Sequence, residues 1–340
     1  MHDLHIHLGG AVPSSVLWEI LCDNGLRTEF RDFISFHQSL TARTDEVKSL
    51  DDFLGRYFQV TEEIQSSPSA ASVSAYQVVA KAYRRARVRS LELRFNPYKR
   101  VRGGLHTMDA IILAVMQGLE RASLHYGVAT GIILSLGRDI PLEANWQIIE
   151  AAIKWRSRGS INGANGVVGI DMAGPESSSM ELDRAWMKEI TAMIEKARFA
   201  GLRITYHVGE SEGTGPEGMM RVIDALHPHR IGHGIELRRA EGALRESLLA
   251  VLREEDICLE ICPTVNRVTQ VIPDFACLGH LIRDLARHDI PFCLNTDNPY
   301  LVHTNLRKEQ EIIGAELGED SATLLPLAME HAARHRFITD

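Results

Sequence analysis

Six ionisable side chains in this chain have the types and spacings needed to hold a metal ion and to move a proton. His5 and His7 stand two apart in Asp3-Leu4-His5-Ile6-His7. Positions two apart share one face of a strand, so two imidazoles converge there, as metal ligands must. His207 and Glu210 fall in Tyr206-His207-Val208-Gly209-Glu210, where a glycine lets the backbone turn between a ligating nitrogen and a proton-carrying carboxyl. His233 lies in Arg230-Ile231-Gly232-His233-Gly234, and Asp297 in Asn295-Thr296-Asp297-Asn298-Pro299. Each has an ordinary alternative: His233 can fill a tight turn between glycines, and Asp297 can cap a helix ahead of the proline. Together, His5, His7, His207 and Asp297 suit a borderline-soft divalent ion such as Zn2+, with a position left for water. Such an ion brings the pKa of its water toward neutrality. His233, near the ion rather than on it, would orient or deprotonate that water, and Glu210 would protonate a substrate from a partly dry pocket.

These residues can act together only if the fold brings them to one point. The opening strand carries His5 and His7, and Gly9-Gly10 ends it before Pro13-Ser14-Ser15 opens a helical run. Helical periodicity continues to about residue 87, which predicts an insertion over about 14–87 between the first two strands, able to cover one mouth of a barrel. Within it the Ser66–Ser72 stretch reads as a loop. Further strand patterns cover 88–95, 128–136, 166–172, 202–208, 230–233, 256–261 and 290–295, alternating with helical sequence such as Met108 to His125. Eight strands are the number that closes a parallel (β/α)8 barrel of the TIM type, and 1–340 reads as one such domain. An open doubly wound sheet shares the alternation, but no Gly-x-Gly-x-x-Gly follows the first strand. In a barrel the strand C-terminal ends share one mouth, and the six side chains fall at such ends.

Composition narrows the partners. The formal charge of -8 and a pI near 6.0 argue against a nucleic-acid binder. The basic run Lys81 to Arg89 is interleaved with Ala, Tyr and Val, as a solvated helix face leading into a strand would be. Five cysteines form no disulfide framework, and Cys258 and Cys262 read as strand-core thiols. The N-terminus lacks a signal-peptide pattern and no run approaches a membrane span, so a cytoplasmic location is expected. His227, His229, His280 and His288 read as surface or packing residues.

With these motifs in hand, the chain resembles the adenosine deaminase family of the amidohydrolase superfamily, over nearly its whole length. His5-Ile6-His7-Leu8, Gly169-Ile170-Asp171-Met172-Ala173-Gly174, His207-Val208-Gly209-Glu210, Arg230 to Gly234, Cys262-Pro263-Thr264-Val265-Asn266 and Leu294 to Pro299 match the family's motifs in order. The resemblance implies one zinc per chain on His5, His7, His207 and Asp297. It also implies protonation of purine N1 by Glu210 while hydroxide attacks C6, and a backbone N–H of Gly174 offered to N3. No lysine stands in the fourth-strand motif, against a two-metal, carboxylated-lysine centre. Two positions depart from the pattern. Gly9 stands where adenosine-specific members carry an aspartate that contacts the ribose, which is expected to leave extra space there. Asn298 replaces the second carboxylate of Thr-Asp-Asp-Pro, and its amide can still donate to N7.

The expected activity is therefore hydrolytic deamination of a 6-aminopurine nucleoside such as adenosine, with an aminodeoxyfutalosine-type nucleoside or free adenine as alternatives. A barrel metallohydrolase of another C–N or ester bond, and a degenerate barrel kept for binding, remain different classes. A cytidine-deaminase architecture is set aside, because it requires His-x-Glu with Pro-Cys-x-x-Cys. The expected partner is a small-molecule purine, with no nucleic acid and no membrane; oligomeric state is not legible.

Overall fold

Eight strands follow one another around a single sheet: β1 (His2–His7), β2 (Ser90–Phe95), β3 (Ala129–Gly137), β4 (Ala164–Ala173), β5 (Arg203–Val208), β6 (Arg230–His233), β7 (Cys258–Ile261) and β8 (Phe292–Leu294). The computed structural model describes residues 1–157 and 163–339. Every neighbouring pair from β1–β2 to β7–β8 is parallel. The seam between the last strand and the first closes just beyond β8. The His7 N–H donates to the Asp297 carbonyl and the Asp297 N–H to the His5 carbonyl, each at 2.8 Å. The result is a TIM-type (β/α)8 barrel whose closure brings Asp297 alongside the two histidines of β1. The domain reading of 1–340 also includes 158–162 and Asp340, which lie outside the described residues.

The strands are buried on both faces, as parallel strands beneath helices must be, which is why they read as near-continuous apolar runs. In β2, Leu91, Leu93 and Phe95 join the hydrophobic core, while Glu92 and Arg94 alternate with them and reach β6 and β7 across the barrel. The interior is thus charged beneath the mouth. Glu260 of β7 is its hub: its Oε2 lies 2.8 Å from both His5 Nδ1 and Arg94 Nη2, and its Oε1 lies 2.6 Å from Arg230 Nε and accepts from Thr205 Oγ1 at 3.0 Å. Arg94 and Arg230 hold the Glu260 carboxyl below its usual pKa despite complete burial. Glu260→Ala should remove the counter-charge that two buried guanidinium groups share, leaving Arg94 with Asp171 and Arg230 with Glu92, and cost about 3–5 kcal/mol. Urea unfolding that loses less than about 1 kcal/mol would contradict this role for the network.

The helices that follow the strands supply the outer layer. The Ser66–Ser72 stretch is not a loop throughout. Ser67 Oγ accepts the Ala70 N–H at 3.2 Å and Pro68 occupies the first turn, so these residues start the helix Pro68–Ala86. A serine run is ambiguous because the same hydroxyls that favour turns also cap helices. That helix ends at Arg87 in the left-handed conformation (φ 51°), so the basic run is its last turn leading into β2. Between β1 and β2 lie also Ser14–Asp23, Phe33–Ser39, Leu50–Phe53, a π-helical turn Leu54–Phe58, and Gln59–Ile64. The stretch from Leu50 to Glu63 covers the mouth of the barrel, where the Phe58 ring meets His7 edge to face at 5.7 Å. Among the described residues no helix is long and apolar enough to cross a membrane.

Candidate active site

The sequence-predicted residues do meet. His5, His7 and His207 place ligand nitrogens within 4.8 Å of one another, with His7 Nε2 and His207 Nε2 3.2 Å apart. Asp297 Oδ1 lies 3.4 Å from His7 Nε2 and 3.8 Å from His5 Nε2. Asp297 does not cap a helix. It sits in the left-handed region (φ 57°), a strained conformation for a side-chain-bearing residue, held by its two backbone bonds to β1. Gly232 explains how β6 passes so close: a Cβ there would lie 3.2 Å from both the His5 and His207 rings.

The donor set is one that a divalent metal ion fits. Glu260 engages His5 Nδ1 and Asp171 Oδ1 engages His207 Nδ1 at 2.9 Å, so both Nε2 atoms face the centre. His5 Nε2 is buried and has no hydrogen-bond partner. Burial is the main reason that all four histidines titrate well below the usual imidazole value; Arg94 adds to this at His5 and His207, and the His207 ring adds to it at His7 and His233. Neutral imidazoles are the ligating form. Burial also raises Asp297 to about 8, against the pull of Arg94, a state that a bound cation would reverse.

His233 and Glu210 stand beside this cluster. His233 does occupy a turn position (φ 64°), yet its Nε2 points to the centre, 3.5 Å from Glu210 Oε2 and 3.9 Å from Asp297 Oδ2. Asn266 Nδ2 lies 3.0 Å from His233 Nδ1. Nε2 donates when Nδ1 accepts from that amide and is a base when the amide oxygen faces Nδ1, so His233 can orient an oxygen or take its proton. Burial, then the charges of Asp297 and Glu176, hold Glu210 well above the ordinary carboxyl pKa. Such a group keeps its proton where an exposed glutamate has lost it. The turn after His207 depends on Gly209 (φ 67°), where a Cβ would strike Met219 at 2.4 Å. Glu176 clamps the same turn, accepting from Glu210 N–H at 3.3 Å and Ser211 N–H at 2.7 Å.

A cavity of about 500 Å³ opens over these groups, lined by His7, His207, Glu210, His233, Asp297, Asn298 and Gly174 and roofed by the insertion. That volume lies within the usual range for small-molecule sites. Arg138 Nη1 donates to the Gly174 carbonyl at 3.0 Å and Nη2 to the His207 carbonyl, tying the two loops together. Asn298 Nδ2 donates to Asp297 Oδ1 at 2.6 Å, leaving its second amide hydrogen for a ligand. The space expected beside Gly9 is not there. A Cβ at position 9 would lie 2.7 Å from Phe58 Cε2 and 3.3 Å from Glu62 Cγ, because the insertion docks on this end of β1 and Gln65 Nε2 bonds the Gly9 carbonyl.

Several residues of the site had escaped selection. Glu260, Arg94 and Asp171 are charges inside otherwise apolar strand runs, a signal that each needs a buried partner. Cys262 is not a strand-core thiol: it follows β7 and stands within 4.8 Å of donor atoms of His5, His233 and Asp297. Phe58 and Glu62 carried no such signal, because only the docking of the insertion brings them to the cavity, whereas Asn96 reaches it by directly following β2.

Known proteins share this chain's sequence pattern and its fold. A family model described as Adenosine deaminase matches residues 1–340. An adenosine deaminase of Clostridium botulinum (strain 657 / Type Ba4) is 26% identical over 339 residues, covering 97% of this chain and 93% of that protein. Among solved structures, an adenine deaminase from Arthrobacter aurescens superposes with a TM-score of 0.84 at 18% identity, covering 100% of this chain and 94% of the other. The N6-methyl-AMP deaminase of Arabidopsis thaliana gives 0.76 at 25% identity, covering 100% and 92%.

Proposed function

Because the chain belongs to the adenosine deaminase family, we propose that it is a zinc-dependent hydrolase that converts a 6-aminopurine nucleoside, adenosine or a close relative, to the 6-oxo product and ammonia. The observation that carries this reading is a single cavity that joins a neutral His/Asp donor set to a carboxyl kept protonated by burial. His5, His7, His207 and Asp297 would hold the metal. A zinc ion bound there would supply a water that ionises near neutral pH.

The chain's own residues account for the rest. Glu210 donates its proton to ring nitrogen N1, which draws electrons from C6 and opens that carbon to addition of water. His233 Nε2, held in place by Asn266, orients the incoming oxygen and takes its proton. Gly174 offers its N–H to N3 and Asn298 its free amide hydrogen to N7, so the purine lies with C6 toward the centre. The proton taken up at His233 passes to the amino group, which leaves as ammonia, and the new C6 hydroxyl returns a proton to Glu210, so the 6-oxo product keeps its N1–H. Burial of the whole constellation excludes bulk water that would otherwise level the Glu210 pKa. The free thiols support a reducing, cytoplasmic setting.

Ammonia release and loss of the adenine-type absorbance should be followed with adenosine, 2′-deoxyadenosine, adenine and an aminodeoxyfutalosine-type nucleoside. Turnover of at least one nucleoside is expected. A metal-loaded protein that deaminates none of the four would refute the proposal.

A further inference from the structure

At the end of β2 and under the insertion, two polar groups line the cavity wall with no role in the chemistry above. Glu62 of Gln59–Ile64 is 6% exposed and lines the cavity, its Cγ 3.3 Å from where a Cβ on Gly9 would lie. Its Oε1 lies 3.5 Å from Arg100 Nη2, and the fully buried Arg100 has no other partner for Nε and Nη1. The insertion therefore brings an acidic side chain, backed by a guanidinium, beside the end of β1 where Gly9 offers none. Asn96 is also 6% exposed and lines the same wall. Its Oδ1 is engaged by the Lys99 N–H at 3.1 Å, whereas its Nδ2 is buried without a partner.

We propose that Glu62 and Asn96 form the subsite that selects the N9 substituent, and that it takes an uncharged, hydroxyl-bearing group such as a pentose. The inference rests on the deaminase reading, which turns N9 toward this wall when C6 faces the metal cluster. A carboxylate acceptor beside an amide donor matches a hydroxyl, which both donates and accepts. Bare N9–H of a free base reaches neither group. A phosphate offers acceptors only and would meet Asp51, Glu62, Glu63 and Asp139 on the lining, where Lys99 is already paired with Asp139 at 2.7 Å.

The test uses the non-reacting 6-oxo ligands inosine, hypoxanthine and inosine 5′-monophosphate, with binding to the metal-loaded protein measured by calorimetry. Wild type should bind inosine at least about tenfold more tightly than either of the others. In Asn96→Ala, and in the double variant Glu62→Ala/Arg100→Met, the inosine-to-hypoxanthine preference should fall about tenfold. A merely structural role would weaken both ligands together and leave the ratio alone. The Asn96 change leaves the ion pair intact, so it remains readable if the double variant fails to fold. A ratio within about twofold of wild type in the folded variants overturns the assignment, as does a wild type that prefers the base or the monophosphate. Turnover is scored separately: the predicted preference without ammonia release from any of the four 6-aminopurines above would refute the deaminase reading and leave the subsite standing.

Discussion

Glu210→Gln should lower kcat by about 10²- to 10⁴-fold while leaving metal content at the wild-type level. The glutamine keeps the size and the hydrogen-bonding capacity of the side chain but cannot deliver a proton to N1. Metal retention is expected because Glu210 is not among the donors that converge on the centre, whereas His207, three residues earlier, is. The pH dependence supplies an independent readout. The acid must be protonated to act, and burial with Asp297 and Glu176 raises its pKa well above the usual carboxyl value. Wild-type kcat should therefore hold on the acid side of that raised pKa and fall as pH rises through it. The alkaline fall should vanish from the residual activity of the variant, since an amide does not titrate. A variant within tenfold of wild type, or one that keeps the alkaline limb, would mean that another group supplies the proton.

His207→Ala should have the larger effect, with loss of both bound metal and measurable turnover. One of the three histidine donors disappears, and Asp171, which now holds His207 Nδ1 at 2.9 Å, is left as a buried carboxylate without that partner. Elemental analysis should show metal falling from about one per chain to near background. Asp171→Asn sets the scale for an indirect contribution. It preserves the donor atoms and removes only the charge that orients one ring, so metal affinity should fall by about 10- to 100-fold and excess metal should restore activity. If excess metal restored His207→Ala to the wild-type rate, His207 would not be a ligand.

The same comparison separates the two kinds of buried charge in this barrel. Glu260 and Asp171 sit beneath the histidines and fix which nitrogen faces inward, so their replacement should act first on stability or metal affinity. Glu210 and His233 face the cavity, so their replacement should act on rate. A structural account in which all four belonged to one undifferentiated network would predict parallel losses in melting temperature, metal content and kcat.

The proposed metal donors are legible in the sequence because their spacing carries the geometry. His5-Ile6-His7 puts two rings on one face wherever it forms a strand, and the turn after His207 at a strand end sends Glu210 to the same mouth. Asp297 and His233 were ambiguous as single residues, since a turn, a cap and a ligand use the same residue types. Their meaning came from falling at the ends of further strands. The orienting residues were harder to find. Glu260 and Arg94 are visible only as charges in apolar runs, and nothing local tells that they face each other across the barrel at 2.8 Å.

The sequence alone therefore determined the parts whose information is local or periodic: the strand and helix alternation, the donors at strand ends, and an acid three residues from a ligand. Tertiary structure decided what depends on contacts between distant segments. Closure of β8 onto β1 through Asp297 set the donor cluster, and the docking of the insertion placed Phe58 and Glu62 where Gly9 had suggested open space. The physical reason is that a missing side chain specifies only what its own residue withholds. What fills the volume is fixed by the packing of a segment about 50 residues further along the chain, and close packing leaves such a volume neither empty nor predictable from the glycine itself.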